Sequence, residues 1–268
     1  MNSYYTLITG ASQGLGKAMA IELARQHQHL ILVSLPDSGQ EDLSDFLHQH
    51  FEVDVHHLEL DLSEVSNYSK IKDYVEAHEL SVKYLINNAG VLSRGTFESL
   101  SSDFILKQIE VNMIAPTLLI KLFLKHLEAN QPSGILNVSS LAAYFPLIQK
   151  QVYCGTKAYL LSFSRALRKE LKPYGIAVTT LCPGGLNTTT RLCYQNRILG
   201  WIARESVLSP EVAAQKAIAG MLRKKEVVVP GFINNCLLAI DKVMPDFLKD
   251  RLTKGEIQKF PDKQYVSH

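Results

Sequence analysis

Tyr153 and Lys157 stand four residues apart in YCGTK, a spacing that puts a phenol and an amine on one helix face. A phenol has an ordinary pKa near 10, too high for a good base at neutral pH. An adjacent ammonium stabilises the phenolate. Such a pair could pass a proton to or from an alkoxide, the species left when a hydride adds to a carbonyl. Spacing alone does not single it out, because Tyr68 and Lys72 repeat it in YSKIK. What surrounds each pair has to decide.

The elements that must position these groups alternate along the chain. Apolar runs YTLIT (5–9), LILVSL (30–35), VHHLEL (55–60), KYLINNAG (83–90), GILNVSS (134–140), IAVTTLCPG (176–184) and EVVVP (226–230) predict seven strands. Helical patterns follow most of them, including a long one near 102–128 that contains Pro116 and one beginning near Val152. Ser209 and Pro210 read as the N-cap and first residue of another. Short Val/Ile/Leu strands alternating with helices imply a parallel sheet covered on both faces. Right-handed crossovers then make it doubly wound, with ligands beyond the carboxyl ends of the strands. Those ends read TGASQG, Ser34-Leu35, Asp61-Leu62, NNAG, Ser139-Ser140 and CPGG.

Proline has no N–H, and at residue 116 its ring crowds the carbonyl of Asn112. The 102–128 helix is therefore expected to bend near Asn112, freeing that carbonyl for an ordered water.

In TGASQGLG, Gly10, Gly14 and Gly16 let backbone N–H groups approach a pyrophosphate at a helix N-terminus. The same stretch contains G-x-S-x-G, the turn that carries a hydrolase nucleophile, with Ser12 in that role. The turn follows the very first strand, which leaves no upstream loop for a second oxyanion donor and weighs against that alternative.

The chain of 268 residues is 46% hydrophobic and 20% charged, with a net charge of +2. That balance is ordinary for a globular protein and gives no electrostatic reason to expect nucleic acid. Cys154, Cys182, Cys193 and Cys236 lack paired or metal-type spacing and read as reduced thiols in the cytoplasm. No leader sequence and no apolar run long enough to span a bilayer is read. His48, His50, His56 and His57 are close in sequence, but His56 and His57 point to opposite faces of a strand, so no metal is expected. One domain over 1–268 is expected, with a helical extension at about 231–268 that could serve as a lid, a dimer contact or a membrane-surface helix.

Taken together, the motifs resemble the short-chain dehydrogenase/reductase family. The resemblance covers roughly residues 5–230 and rests on TGASQGLG (9–16), NNAG (87–90), the Asn of EVNMIAP (112), NVSS (137–140), YCGTK (153–157) and PGGLNT (183–188). It implies a single-domain, Rossmann-like doubly wound parallel sheet of about seven strands and a nicotinamide-dependent oxidoreductase acting on a carbonyl or secondary alcohol. A homo-oligomer, dimer or tetramer, is also implied.

The family's serine-to-tyrosine spacing selects Ser140, thirteen residues before Tyr153, and rejects Tyr68, which has Val55 at that offset. Tyr68 and Lys72 are then expected on a solvated face. The resemblance makes Asn112, Ser140, Tyr153 and Lys157 the catalytic set, with Asn112 positioning a water that relays protons to Lys157. Ser140 would hydrogen-bond the carbonyl and developing alkoxide. Cofactor contacts are implied for Gly10, Ser12, Gln13, Gly14, Leu15, Gly16, Ser34, Asp61, Leu62, Asn88, Ala89, Gly90, Tyr153, Lys157, Pro183, Gly184, Leu186 and Thr188. Among these, Asp61 would meet the adenine amino group, or merely cap the next helix. A dinucleotide sensor or scaffold of the same fold is the non-catalytic alternative, disfavoured because the whole tetrad is present.

Cofactor choice turns on the end of the second strand, where an acid would exclude NADP. Ser34 is read at that place, Leu35 and Pro36 follow, and Gln13 holds the other frequent basic position. NADP or NAD remain open, with a slight lean to NADP. Leu141, Tyr144, Phe145, Leu147, Ile148, Val152, Tyr194 and Trp201 would wall an apolar substrate pocket. Arg191, Arg197 and Arg204 could meet an anion but read more simply as solvated.

Overall fold

Alternation of side chains along the predicted strands is visible directly in the computed structural model, which describes residues 4–145, 147, 149–186, 207–241 and 265–266. Strands β1 (Tyr4–Thr9), β2 (His29–Ser34), β3 (Val55–Glu59), β4 (Ser81–Asn87), β5 (Ser133–Val138), β6 (Ile176–Leu181) and β7 (Val227–Val228) form one sheet. Its spatial order is β3-β2-β1-β4-β5-β6-β7 and every pairing is parallel. In β2, Leu30 and Leu32 pack to one face while Ile31 and Val33 pack to the other. This period of two lets one strand feed two cores.

Helices α1 (Gly14–Arg25), α2 (Gln40–Phe51) and α7 (Pro210–Leu222) cover one face; α3 (Ser66–Ala77), α5 (Ala115–Ala129) and α6 (Gln151–Leu171) cover the other. Helix α4 (Ser102–Ile109) precedes α5, and α8 (Phe232–Asp241) follows β7. Ser101 caps α4 by accepting from the Phe104 N–H at 3.2 Å, and Ser209 caps α7 by accepting from Val212 at 3.3 Å. Pro210 is the first residue of α7, as expected. Residues Ser93–Arg94 and Tyr265–Val266 form a separate antiparallel pair.

Two expectations change. The 102–128 segment is not one α-helix: Glu110–Ile114 form a π-helical turn between α4 and α5, with the Ala115 N–H bonded back to the Glu110 carbonyl. The ladder loosens just ahead of Pro116, where a proline N–H is missing, and the loosened turn carries Asn112. Tyr68 is not on a solvated face. It is 2% exposed, and its hydroxyl donates to the Leu62 carbonyl at 2.8 Å. Tyr68, Ile71 and Val75 form the buried stripe of α3, whereas Lys72 pairs with Glu76 at 2.7 Å at the surface. The strand positions of His56 and His57 behave as expected: His56 is half-buried beside Tyr5 and Tyr74, and His57 is exposed. Among the described residues no cluster could hold a metal ion, and no helix is long and apolar enough to cross a membrane.

Candidate active site

The ends of strands β1 to β6 supply residues to one place at the carboxyl edge of the sheet. The first contribution is the turn after β1. Gly10 and Gly14 adopt φ of +65° and +55°, which favours glycine. A Cβ on Gly16 would lie 2.0 Å from the Gly10 carbonyl oxygen, so only glycine lets α1 start this close to the strand. The Asn88 side-chain amide donates to the carbonyls of Thr9 and Gly10, both at 2.9 Å. The Thr9 hydroxyl accepts from the N–H groups of Asn88 and Ala89 at 3.0 and 3.1 Å. NNAG and the glycine turn are thus stapled into one backbone cradle. Thr9 joins the site through these bonds, and its signal in the sequence is a threonine that ends a strand just before glycine.

At the end of β2 the Ser34 hydroxyl accepts from the Ser12 N–H at 3.0 Å. Ser34 is 4% exposed and Leu35 is 49% exposed. Ser34 is thus turned in beneath the glycine turn, and Leu35 is the first exposed residue beyond β2. Asp61 Oδ1 accepts from the Ser63 N–H at 2.9 Å and hydroxyl at 2.8 Å, so Asp61 does shape the turn before α3. Its other oxygen lies 3.3 Å from Lys107 Nζ of α4. Burial works against this carboxylate, but Ser63 and Lys107 overcome it and hold the carboxyl below its ordinary range. Leu62 is buried.

Helix α6 brings Tyr153 and Lys157 to the end of β5. Ser139 and Ser140 separate by role: the Ser139 hydroxyl is buried and donates to the Lys157 carbonyl at 2.8 Å, whereas Ser140 acts on the Tyr153 phenol and favours its ionised form. Ser140 also accepts from the Ala142 N–H at 3.1 Å. Lys157 is 3% exposed and donates to the Val138 carbonyl at 2.9 Å. Its Nζ sits 5.7 Å from the Tyr153 ring centroid. Burial pushes the Lys157 ammonium down to about 8. Burial also pushes the Tyr153 phenol up, against the opposing hydrogen bond from Ser140. The group that pulls Tyr153 toward ionisation is thus Ser140, while the Lys157 amine is turned to Val138.

The Asn112 side chain is fully engaged. Its oxygen accepts from the Val91 N–H at 2.8 Å, and its amide donates to the Val91 carbonyl at 3.0 Å and to Thr156 at 3.1 Å. It locks the NNAG loop to α6. A Cβ on Gly90 would lie 3.3 Å from Lys157 Nζ and 3.4 Å from the Asn112 side-chain oxygen, so the three positions converge. Below them a buried amide chain runs from Asn87 to Asn137 and on to Ser164, each step 2.8 Å, and fixes β4, β5 and α6 together.

The loop after β6 closes the far side. The Pro183 carbonyl accepts from the Leu141 N–H at 2.9 Å, Gly184 packs against Asn234 of α8, and Leu186 bridges to Leu208. Tyr144, Phe145 and Leu147 line a cleft of about 560 Å³ with Ala142, Ala143, Gln151, Cys154, Gly155 and Ala158. Leu141 is buried, at 9% exposure. Ile148, Thr188, Arg191, Cys193, Tyr194, Arg197, Trp201 and Arg204 lie outside the described residues.

The family model for short chain dehydrogenases matches residues 5–196. The chain belongs to the short-chain dehydrogenase family. It is an NAD(P)-dependent oxidoreductase, which does not favour the hydrolase alternative. A very-long-chain 3-oxoacyl-CoA reductase of Danio rerio is 32% identical over 183 residues, 67% of this chain; the chain spans 57% of that relative. The 17-beta-hydroxysteroid dehydrogenase 13 of Mus musculus is 31% identical over 87% of this chain and 75% of its own length. The solved short-chain dehydrogenase of Sphingobium yanoikuyae, in complex with NADPH, is 26% identical and superposes with a TM-score of 0.76 over 98% of each chain.

The residues present fit the family's dinucleotide. Gly10 and Gly16 leave no room for a Cβ, and the turn offers backbone N–H groups at the N-terminus of α1.

Proposed function

We propose that the chain reduces an apolar ketone or aldehyde, with Tyr153 giving the proton and NADP as the favoured dinucleotide. One observation carries the reading: α6 sets Tyr153 and Lys157 one helical turn apart at the end of β5, where Ser140 favours the ionised phenol, beside a largely apolar cleft. A bound reduced nicotinamide supplies the hydride. Ser140 orients the carbonyl oxygen and stabilises the charge that develops on it. Tyr153 donates its phenolic proton to that oxygen. Its raised pKa suits this direction, because the phenol is protonated at neutral pH and ready to act as an acid. Lys157 supplies positive charge behind the phenol and binds the nicotinamide ribose. The Asn112 main-chain carbonyl, rather than its engaged side chain, positions a water toward Lys157, and its place in the π-helical turn ahead of Pro116 supports that role.

Gly10, Ser12, Gln13, Gly14, Leu15 and Gly16 hold the pyrophosphate; Asp61, Leu62, Asn88, Ala89 and Gly90 hold the adenosine half; Pro183, Gly184, Leu186 and Thr188 hold the carboxamide. The lean to NADP rests on Ser34-Leu35-Pro36, where no carboxylate repels a 2′-phosphate, and on the NADPH of the Sphingobium relative. The apolar substrate rests on Tyr144, Phe145 and Leu147 in the cleft, and on relatives named for long acyl chains and hydroxysteroids. Unpaired Cys154, Cys182 and Cys236 support a cytoplasmic setting. A single domain extended by α8, and a homo-oligomer, complete the reading.

The pH profile tests it. Burial pushes the Lys157 amine down to about 8. Its charge is present below that pH and lost above it, so kcat/KM for carbonyl reduction should be flat from about pH 6 to 8 and fall about tenfold per unit above. A profile flat to pH 10 would remove Lys157 from the mechanism.

A further inference from the structure

Lys107 makes a contact that its place in the chain does not suggest. Asp61 follows β3 and Lys107 lies on α4, which follows β4, while β2 and β1 stand between those strands in the sheet. Their 3.3 Å ion pair ties the turn before α3 to α4 at the carboxyl edge of the sheet. That edge is where a doubly wound sheet holds its dinucleotide.

We propose that Lys107 is a positioning residue: it holds the Asp61 carboxylate as a fixed acceptor for the adenine amino group, and so sets a preference for adenine over hypoxanthine dinucleotides. The proposal rests on the placement of adenine at Asp61 given above. A carboxylate offers about four lone-pair positions. Ser63 takes two on Oδ1 and Lys107 takes one on Oδ2, which leaves one on Oδ2 for a ligand. Ser63 fixes one oxygen, and Lys107 fixes the direction of the other. Both partners stay reachable, with side-chain exposures of 45% for Lys107 and 31% for Asp61.

An ionised carboxylate only accepts hydrogen bonds. Adenine presents an amino donor to it, whereas hypoxanthine presents a carbonyl oxygen, and two acceptors then face each other. The lowered pKa of Asp61 keeps it in the accepting form through neutral pH. Without Lys107 the free oxygen can turn aside and the distinction weakens.

Calorimetry on the full chain with NADP and with nicotinamide hypoxanthine dinucleotide phosphate tests this. Lys107→Met should lower the adenine-to-hypoxanthine affinity ratio about fivefold, the scale of an exposed charge pair, and Lys107→Arg should restore it. The drop should come from weaker NADP binding, with the hypoxanthine form unchanged. An unchanged ratio in Lys107→Met, or an equal weakening of both dinucleotides, overturns the proposal and leaves the functional reading standing. An unchanged ratio in Asp61→Asn overturns it as well, by removing adenine from Asp61. A wild-type chain that binds neither dinucleotide overturns the functional reading first and this proposal with it.

Discussion

Tyr153→Phe will keep the fold and dinucleotide affinity and lose at least ~10²-fold in the rate of carbonyl reduction, the low end of an acid–base contribution. Only a hydroxyl is removed, from a residue whose ring stays in place at the first turn of α6. Among the described residues no other hydroxyl is placed to substitute: the Ser139 hydroxyl is committed to the Lys157 carbonyl, and Ser140 acts on the phenol rather than replacing it as acid. Steady-state rates beside a calorimetric dinucleotide titration check the result. A variant with more than a third of wild-type turnover and intact binding would take the proton-donor role from Tyr153.

Lys157→Met will abolish turnover and yet make the dinucleotide-free protein more stable at pH 7. The amine is buried, and its pKa is lowered from 10.5 to about 8. Below about pH 8 it is charged in both the folded and unfolded chain, and the folded state carries the whole cost of desolvation. Between about 8 and 10.5 only the unfolded chain keeps the proton, so that cost fades and stability rises with pH. The shift corresponds to about 3 kcal/mol of destabilisation at neutral pH. Loss of the hydrogen bond to the Val138 carbonyl takes back about 1 kcal/mol. The remainder should raise the melting midpoint by about 5 °C at pH 7 for a chain of this size. The gain should shrink toward zero near pH 10. A variant that melts below wild type at pH 7 would show that the amine is held by more than Val138.

Much of this site could be read from the chain because backbone conformation and short spacings carry it. Gly10, Gly14 and Gly16 declare a turn that only glycine can make, and Tyr153 and Lys157 need only one helical turn to meet. Pro116 announces a local break because the missing N–H is a covalent fact, although the form the break takes, a π-helical turn, depends on how α4 and α5 pack. What escaped is set by long-range packing. Tyr68 shares the helical spacing of Tyr153, and its burial follows from the stripe it forms with Ile71 and Val75, which a comparison of two Tyr–Lys pairs passes over. Ser34 ends its strand facing inward because the glycine turn of another strand needs its oxygen. Lys107 and Asp61 are 46 residues apart and meet only once the sheet order is known.

The most direct test of the central claim is transfer of a label. Purified chain is incubated with an apolar aryl ketone and reduced NADP carrying deuterium at the transferable position, and the product is read by mass spectrometry. Wild-type protein should give the secondary alcohol with deuterium on the carbinol carbon, and Tyr153→Phe should give at most about a hundredth as much. A chain that binds the dinucleotide but transfers no deuterium, across a panel of ketones and aldehydes and with either nicotinamide, would contradict the account and mark the protein as a dinucleotide sensor.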